Sequence, residues 1–339
     1  MRRQHWRVYA LGGGLGHLTR AGALARAAVA RGHAVDLLTN SPFAPGLPLE
    51  SLLGPGATVH RLDARLDKAA TVAAVTAWLG ASTPDVLVVD TFPRGLAGEL
   101  PGLLPTVRAP RVLVHRDLNP VYVERFDVAR AVDAFDLLVV PGEDAPFAHH
   151  PRAVRTPPWL LLDADALLPR EQARLRLGLE ANGARPVVAV LGCGRPEEVV
   201  DARDTAGRLR AALGARADVR WLVPTAGDGA GAAGGLAVWP ALAVLPGVDV
   251  LVGSGGYNTV REARATGTPL VAWARPRLYD RQALRLTDGE RVTDAAELEA
   301  RVASLLEAVL RAGAPGRPPT YVNGVHRAVD AIERVALSA

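Results

Sequence analysis

Twice in this chain a short apolar run breaks into glycines and then into a segment of helical spacing. The first run, Trp6 to Leu11, leads into Gly12-Gly13-Gly14-Leu15-Gly16-His17; the second, Val248 to Val252, leads into Gly253-Ser254-Gly255-Gly256-Tyr257. Runs this short and this apolar read as strands covered on both faces. Glycine then turns the backbone sharply and leaves successive N–H groups bare where the next helix starts, at its positive end. The repeating unit is therefore strand, glycine turn, helix, and it restricts the chain to a parallel α/β architecture.

Further strands are read at Val35 to Thr39, Val86 to Val89, Val112 to Val114 and Leu137 to Val140 in the first half, and at Val187 to Leu191, Val219 to Val223 and Leu270 to Trp273 in the second. Leu18, Ala21, Ala25, Ala28 and Val29 recur at helical spacing before a stop at Gly32, and Val325, Val329, Ile332 and Val335 mark a closing helix. Pro157 and Pro158 interrupt the rhythm, and an Arg-rich helix over about 169 to 180 follows. At 339 residues the chain is long for one core. The reading is two α/β domains, 1–160 and 161–339, with the last helix free to pack back on the first. Gly227 to Gly235 reads as a surface loop.

Composition narrows the partners. The net charge of +4 comes from dispersed arginines, with Lys68 the only lysine. There is no basic stripe with interleaved aromatics, so nucleic acid is not expected. The single cysteine, Cys193, excludes an intrachain disulfide framework and suits a reducing cytoplasm. The N-terminus carries Arg2, Arg3 and Arg7, but its apolar run is too short for a leader and breaks into glycines, and no stretch reaches the length of a membrane span. The expected location is cytoplasmic; the apolar loops Pro42 to Leu53 and Leu96 to Leu104 read equally as buried packing or as a patch for peripheral contact at the inner membrane face.

The turns carry the chemistry. Three glycines could simply allow tight helix packing, but Tyr257, Asn258 and Thr259 follow, and then Glu262 within the first helical turns. The N–H groups of Gly255, Gly256 and Tyr257 suit a diphosphate, and a carboxylate at Glu262 accepts hydrogen bonds from the vicinal hydroxyls of a ribose. At the N-terminal turn, Gly12 and Gly14 fit a dinucleotide fingerprint, but His17 replaces its third glycine. Thr39 and Asn40 stand where an acidic residue is needed, which argues against a nicotinamide enzyme. His17 opens a helix whose dipole helps keep it unprotonated, as a general base requires. A third turn, Gly192-Cys193-Gly194-Arg195, precedes Pro196, Glu197 and Glu198; it is either a well-capped helix or a second wall in which Gly194 approaches the nucleotide. Asp163-Ala164-Asp165 resembles a metal-binding D-x-D but lies among leucines in the interdomain region, where chance explains it better. No other cluster has metal-ligand spacing and His149-His150 supports no metal, so neither metal nor cofactor is expected.

Gly-Gly-Gly-Leu-Gly-His, with a helix, Arg31-Gly32-His33 and a strand after it, resembles the N-terminal signature of GT-B glycosyltransferases. The group containing the lipid-II-forming N-acetylglucosaminyltransferase is the nearest likeness. Gly253 to Trp273 and Asp280-Arg281-Gln282 are similar to that group's donor-binding segment. Val86 to Pro93, with Gly95 and Glu99, resembles related predicted bacterial glycosyltransferases. The resemblance implies two Rossmann-like parallel-sheet domains facing a cleft. It places the acceptor on the first domain, beside Gly13, Gly14 and Gly16, and a nucleotide diphosphate sugar, uridine by preference, on the second. Ser254 to Thr259, Glu262, Asp280 and Gln282 would hold the donor, and Gln282 would touch sugar hydroxyls. Ala283 stands where the group has a second glutamine, so the donor sugar stays open. The acceptor is a hydroxyl compound, with a lipid-linked one among the candidates. His17 would take the acceptor proton, with Asp90 or Asp117 fixing its tautomer, and attack would invert the anomeric centre without a metal. Two other readings stand beside this: a nucleotide-sugar 2-epimerase of the same fold, and a non-catalytic nucleotide-sugar-binding protein.

Overall fold

The computed structural model describes residues 2–227, 231, 233–312 and 319–338. Part of the loop read at Gly227 to Gly235 lies outside the described residues. The chain forms two compact units, one of Met1–Leu161, Leu278–Asp280 and Asn323–Ala339, the other of Leu162–Arg277 and Arg281–Val322.

Unit 1 holds a seven-stranded parallel sheet. Its strands are β1 (His5–Ala10), β2 (Ala34–Thr39), β3 (Ala57–Arg61), β4 (Val86–Asp90), β5 (Arg111–Val114), β6 (Leu137–Pro141) and β7 (Ala153–Thr156), in the order β3-β2-β1-β4-β5-β6-β7. The central strands β4 and β6 are buried at every position, as strands covered on both faces must be. The helix Leu15–Ala30 returns the chain from β1 to β2 and ends where Gly32 adopts a left-handed φ of 90°. The helix Val325–Ser338 packs on it and on β6 and β7. Val325, Val329 and Ile332 are buried there, each contributing about 1.5–3 kcal/mol. Glu333 of the same helix takes the Nε2 of buried His33 at 2.8 Å.

Unit 2 holds a six-stranded parallel sheet in the order β10-β9-β8-β11-β12-β13. Its strands are β8 (Val187–Leu191), β9 (Asp218–Val223), β10 (Leu236–Ala237), β11 (Val250–Ser254), β12 (Leu270–Trp273) and β13 (Arg291–Val292). β11 begins two residues later than the apolar pattern suggests. Asp249 is the reason: its buried carboxylate accepts from the Val187 amide and from Arg170, each at 2.8 Å, and anchors the strand entrance. The Arg-rich helix spans only Arg170–Arg176, because buried Arg174 turns back to the carbonyls of Glu180 and Arg185.

Candidate active site

In an open parallel sheet, ligands gather beyond the carboxyl ends of the strands where successive connections diverge to opposite sides. In unit 1 that point lies between β1 and β4; in unit 2 it lies between β8 and β11. The glycine turns leave from β1, β8 and β11, so the topology puts these three turns at the two switch points.

In unit 1, β1 delivers Gly12 to His17 and β4 ends on Asp90. His17 Nδ1 lies 2.6 Å from Asp90 Oδ2, with the imidazole about one-fifth exposed and the carboxylate buried. The ring is seated between two neighbours. Phe92 lies against it at 5.1 Å between centroids, and a side chain at Gly12 would collide with Cδ2 and Nε2. Gly12 is itself held by its N–H donating to Asn40 Oδ1 at 2.8 Å. By contrast, Gly13, Gly14 and Gly16 have open space where a side chain would sit.

Arg20, three residues beyond His17 on the same helix face, closes the network. Its Nε donates to Asp90 Oδ1 at 2.7 Å and its Nη2 to Asp90 Oδ2 at 2.6 Å. The same Nη2 reaches Thr91 Oγ1 at 2.8 Å, and Thr91 carries a left-handed φ of 68°. Burial alone would push the Asp90 carboxyl up, but the Arg20 guanidinium and then His17 more than offset it. The group is held well below the usual carboxylate range. Burial pushes His17 below its ordinary value; Asp90 opposes that shift, while Arg20 and Arg116 add to it. Burial thus keeps the imidazole neutral, and Asp90 fixes the tautomer with the proton on Nδ1 and the lone pair on Nε2.

Asp117 also belongs to unit 1. It follows β5, is buried, and its backbone N–H donates to Glu143 at 3.2 Å. Glu143 also takes a two-point clamp from Arg116 at 2.7 and 2.9 Å. Between the two aspartates singled out from sequence, Asp90 is the one on His17. Arg20 and Asn40 were not singled out; the spacing of Arg20 from His17 was the signal that could have found it.

In unit 2, the helix Tyr257–Thr266 starts at Gly256 with no side-chain cap. Gly255 is required by packing, since a side chain there would meet the Gln282 carbonyl at 2.9 Å. At Gly256 a side chain would meet Ser254 Oγ at 3.6 Å, an ordinary contact without a clash. Asn258 and Thr259 fall in the first turn, and Glu262 lies one turn further along. Glu262 is only 7% exposed, and burial pushes its carboxyl up to about 8. No charge or hydrogen bond among the described residues offsets that burial.

The β8 turn stands on the other side of this switch point, with Gly194 at a left-handed φ of 117°. Glu198 fills the space a Gly194 side chain would need and accepts from the Arg195 amide at 3.2 Å. Cys193 is pushed up to about 12 by burial, with Glu262 and Glu198 adding and Arg277 opposing. Gln282 is buried and its side-chain carbonyl accepts from the Arg275 amide at 3.0 Å. Asp280 is grouped with unit 1 and Gln282 with unit 2, so that short motif is divided. Among the described residues no group of three or more His, Cys, Asp or Glu could hold a metal ion.

The solved structure of the glycotransferase of kitacinnamycin is similar over 99% of this chain and 100% of that one, at a TM-score of 0.61 and 19% identity. The chain has the GT-B fold. MurG of Acinetobacter baumannii matches this GT-B chain over 98% of its length and 100% of its own, at a TM-score of 0.57 and 14% identity. A putative UDP-N-acetylglucosamine 2-epimerase from Listeria monocytogenes matches over 97% and 95%, at a TM-score of 0.61 and 11% identity. No protein-family model and no curated protein matches by sequence. No helix among the described residues is long and apolar enough to cross a membrane.

Proposed function

We propose that this GT-B chain is an inverting, metal-independent glycosyltransferase that moves a sugar from a nucleotide diphosphate, uridine-linked by preference, to a hydroxyl acceptor. The observation that carries the reading is the His17–Asp90 contact at 2.6 Å, at the switch point of the first sheet. Unit 1 takes the acceptor beside Gly13, Gly14 and Gly16. Unit 2 takes the donor, with its diphosphate at Gly194 and Ser254 to Thr259 and its ribose on Glu262. Gln282 keeps its side-chain NH2 for the sugar, since its carbonyl is engaged with Arg275.

His17 Nε2 accepts the proton of the acceptor hydroxyl as that oxygen attacks the anomeric carbon. The bond from the anomeric carbon to the β-phosphate oxygen breaks, and the diphosphate leaves with the electron pair. Asp90 stabilises the imidazolium that forms. Attack opposite the leaving group inverts the centre. Backbone donors at an uncapped helix start stabilise the charge that develops on the diphosphate. His17's lowered pKa keeps it neutral at pH 7, so turnover should fall only as pH drops through that value.

Replacing His17 with alanine should cut sugar transfer by about 10²- to 10⁴-fold while nucleotide affinity is kept. Unchanged turnover would remove His17 from the chemistry. Epimerisation is the second reading, motivated by the Listeria neighbour. Incubation with donor alone separates the two: a transferase yields slow hydrolysis to free sugar and nucleoside diphosphate, and an epimerase yields the 2-epimer still bonded to nucleotide.

A further inference from the structure

We propose that Arg277 is a donor-binding residue that shares its guanidinium between Glu198 and the diphosphate of a nucleotide. The inference rests on the donor assignment to unit 2 and adds the cation that assignment lacks. A nucleotide diphosphate brings at least two negative charges to a turn where Glu198 already stands as a carboxylate and where Glu262 becomes one once a ribose binds it. Glu262 and Glu198 both act on Cys193, and Arg277 is the cation acting on the same thiol from the opposite direction. An anion can enter that field only if a nearby cation answers both Glu198 and the newcomer.

The way Arg277 is held leaves it able to do so. Its Nη2 alone serves Glu198, donating to Oε2 at 2.7 Å and lying 2.5 Å from Oε1. Nη1 makes only a long contact of 3.4 Å with the Pro276 carbonyl, and Nε has no hydrogen-bond partner among the described residues. Arg20 and Arg116 differ: each spends two nitrogens of its fork on both oxygens of one carboxylate. An arginine built only to pin a loop would gain most from that two-point geometry. End-on pairing keeps the Nε–Nη1 edge for a second anion, and a diphosphate offers the paired oxygens that edge fits.

A second observation points to a ligand in the same place. Glu262 faces this turn closely enough to act on Cys193, and it is more than nine-tenths buried with nothing among the described residues offsetting that burial. A ribose on Glu262 brings the attached diphosphate to the Gly192–Gly194 turn that Arg277 borders.

The test compares affinities for the UDP/UMP and dTDP/dTMP pairs by calorimetry, in wild type, Arg277→Gln and Glu198→Gln. Glutamine at 198 keeps the oxygen that accepts from the Arg195 amide, so the cap survives. Arg277→Gln should weaken the diphosphates about tenfold or more and leave the monophosphates within twofold. Glu198→Gln should leave diphosphate binding unchanged or tighten it, because the competitor for Arg277 is gone. A loop pin would instead make both variants weaken mono- and diphosphates alike. Equal loss for mono- and diphosphate, undiminished UDP binding in Arg277→Gln, or weakened UDP binding in Glu198→Gln each overturns the proposal and leaves the donor assignment standing. A wild-type protein that binds none of the four nucleotides overturns both.

Discussion

The two switch points solve opposite electrostatic problems. In unit 1 each charge already has a partner inside the protein: Arg20 grips both oxygens of Asp90, and Asp90 grips His17. In unit 2 a buried carboxyl, Glu262, stands without one among the described residues and is pushed toward neutrality at about 8. The end-on Arg277 leaves its Nε–Nη1 edge unspent. A group that must move a proton in a fixed geometry is best organised before the substrate arrives. A group that recognises a ligand can be left for that ligand to satisfy. Under the proposed function, unit 1 is finished as folded, whereas unit 2 is finished by the nucleotide it binds.

The comparison breaks first at Asp90. Asp90→Asn removes the charge that holds Arg20, at a cost of about 3–5 kcal/mol in stability for the stranded guanidinium, and should lower turnover by about 10²- to 10⁴-fold. Asp90 raises the His17 pKa, so its loss should move the acid limb of the pH–rate profile to lower pH. Denaturant melts and a pH–rate series check both; a variant of wild-type stability and turnover would show that the network does not organise the base.

Gly12→Ala comes next. Its methyl group would displace the imidazole, so turnover should fall nearly as far as in His17→Ala, with UDP affinity unchanged. Gly13→Ala meets open space and should shift stability by no more than about 0.5 kcal/mol. Equal turnover in the two variants would mean that Gly12 does not seat the ring.

The smallest effect has an unusual sign. Glu262 in the folded chain binds its proton more tightly than the ordinary carboxyl at 4.5. Stability from this group is therefore whole below about pH 4.5 and is lost as pH rises toward 8. Glu262→Gln should leave stability at pH 5 nearly unchanged and raise it at pH 8, by up to a few kcal/mol, while weakening donor binding. Thermal melts across that range decide it. Parallel wild-type and variant curves would mean that the carboxyl is not the strained group described here.

These contrasts also explain what the sequence could show. The interior strands were legible because burial on both faces demands continuous apolar residues. β3 and β7 are sheet edges, with patterns such as Ala-Thr-Val-His-Arg, and β10 and β13 are two residues long, so apolar continuity does not mark them. The two glycine turns and His17 could be read because a bare backbone and a lone imidazole at a helix start are rare together. The choice between Asp90 and Asp117 could not be made, since each follows an apolar strand and only sheet order puts β4 rather than β5 beside β1. Gly255 and Gly256 look alike in sequence, yet one is needed for packing against Gln282 and the other would tolerate a side chain in ordinary contact with Ser254. Arg277 was invisible among many arginines, because its place beside Glu198 and Cys193 comes from the fold and not from spacing.

The most direct test is calorimetric titration of UDP at pH 7 in buffers of different ionisation enthalpy. Ribose hydroxyls donating to Glu262 favour its charged form, so binding should expel its proton. Wild type should release about one proton more per UDP bound than Glu262→Gln. Equal proton release in the two proteins, or no UDP binding by wild type, would contradict the claim that a nucleotide completes unit 2.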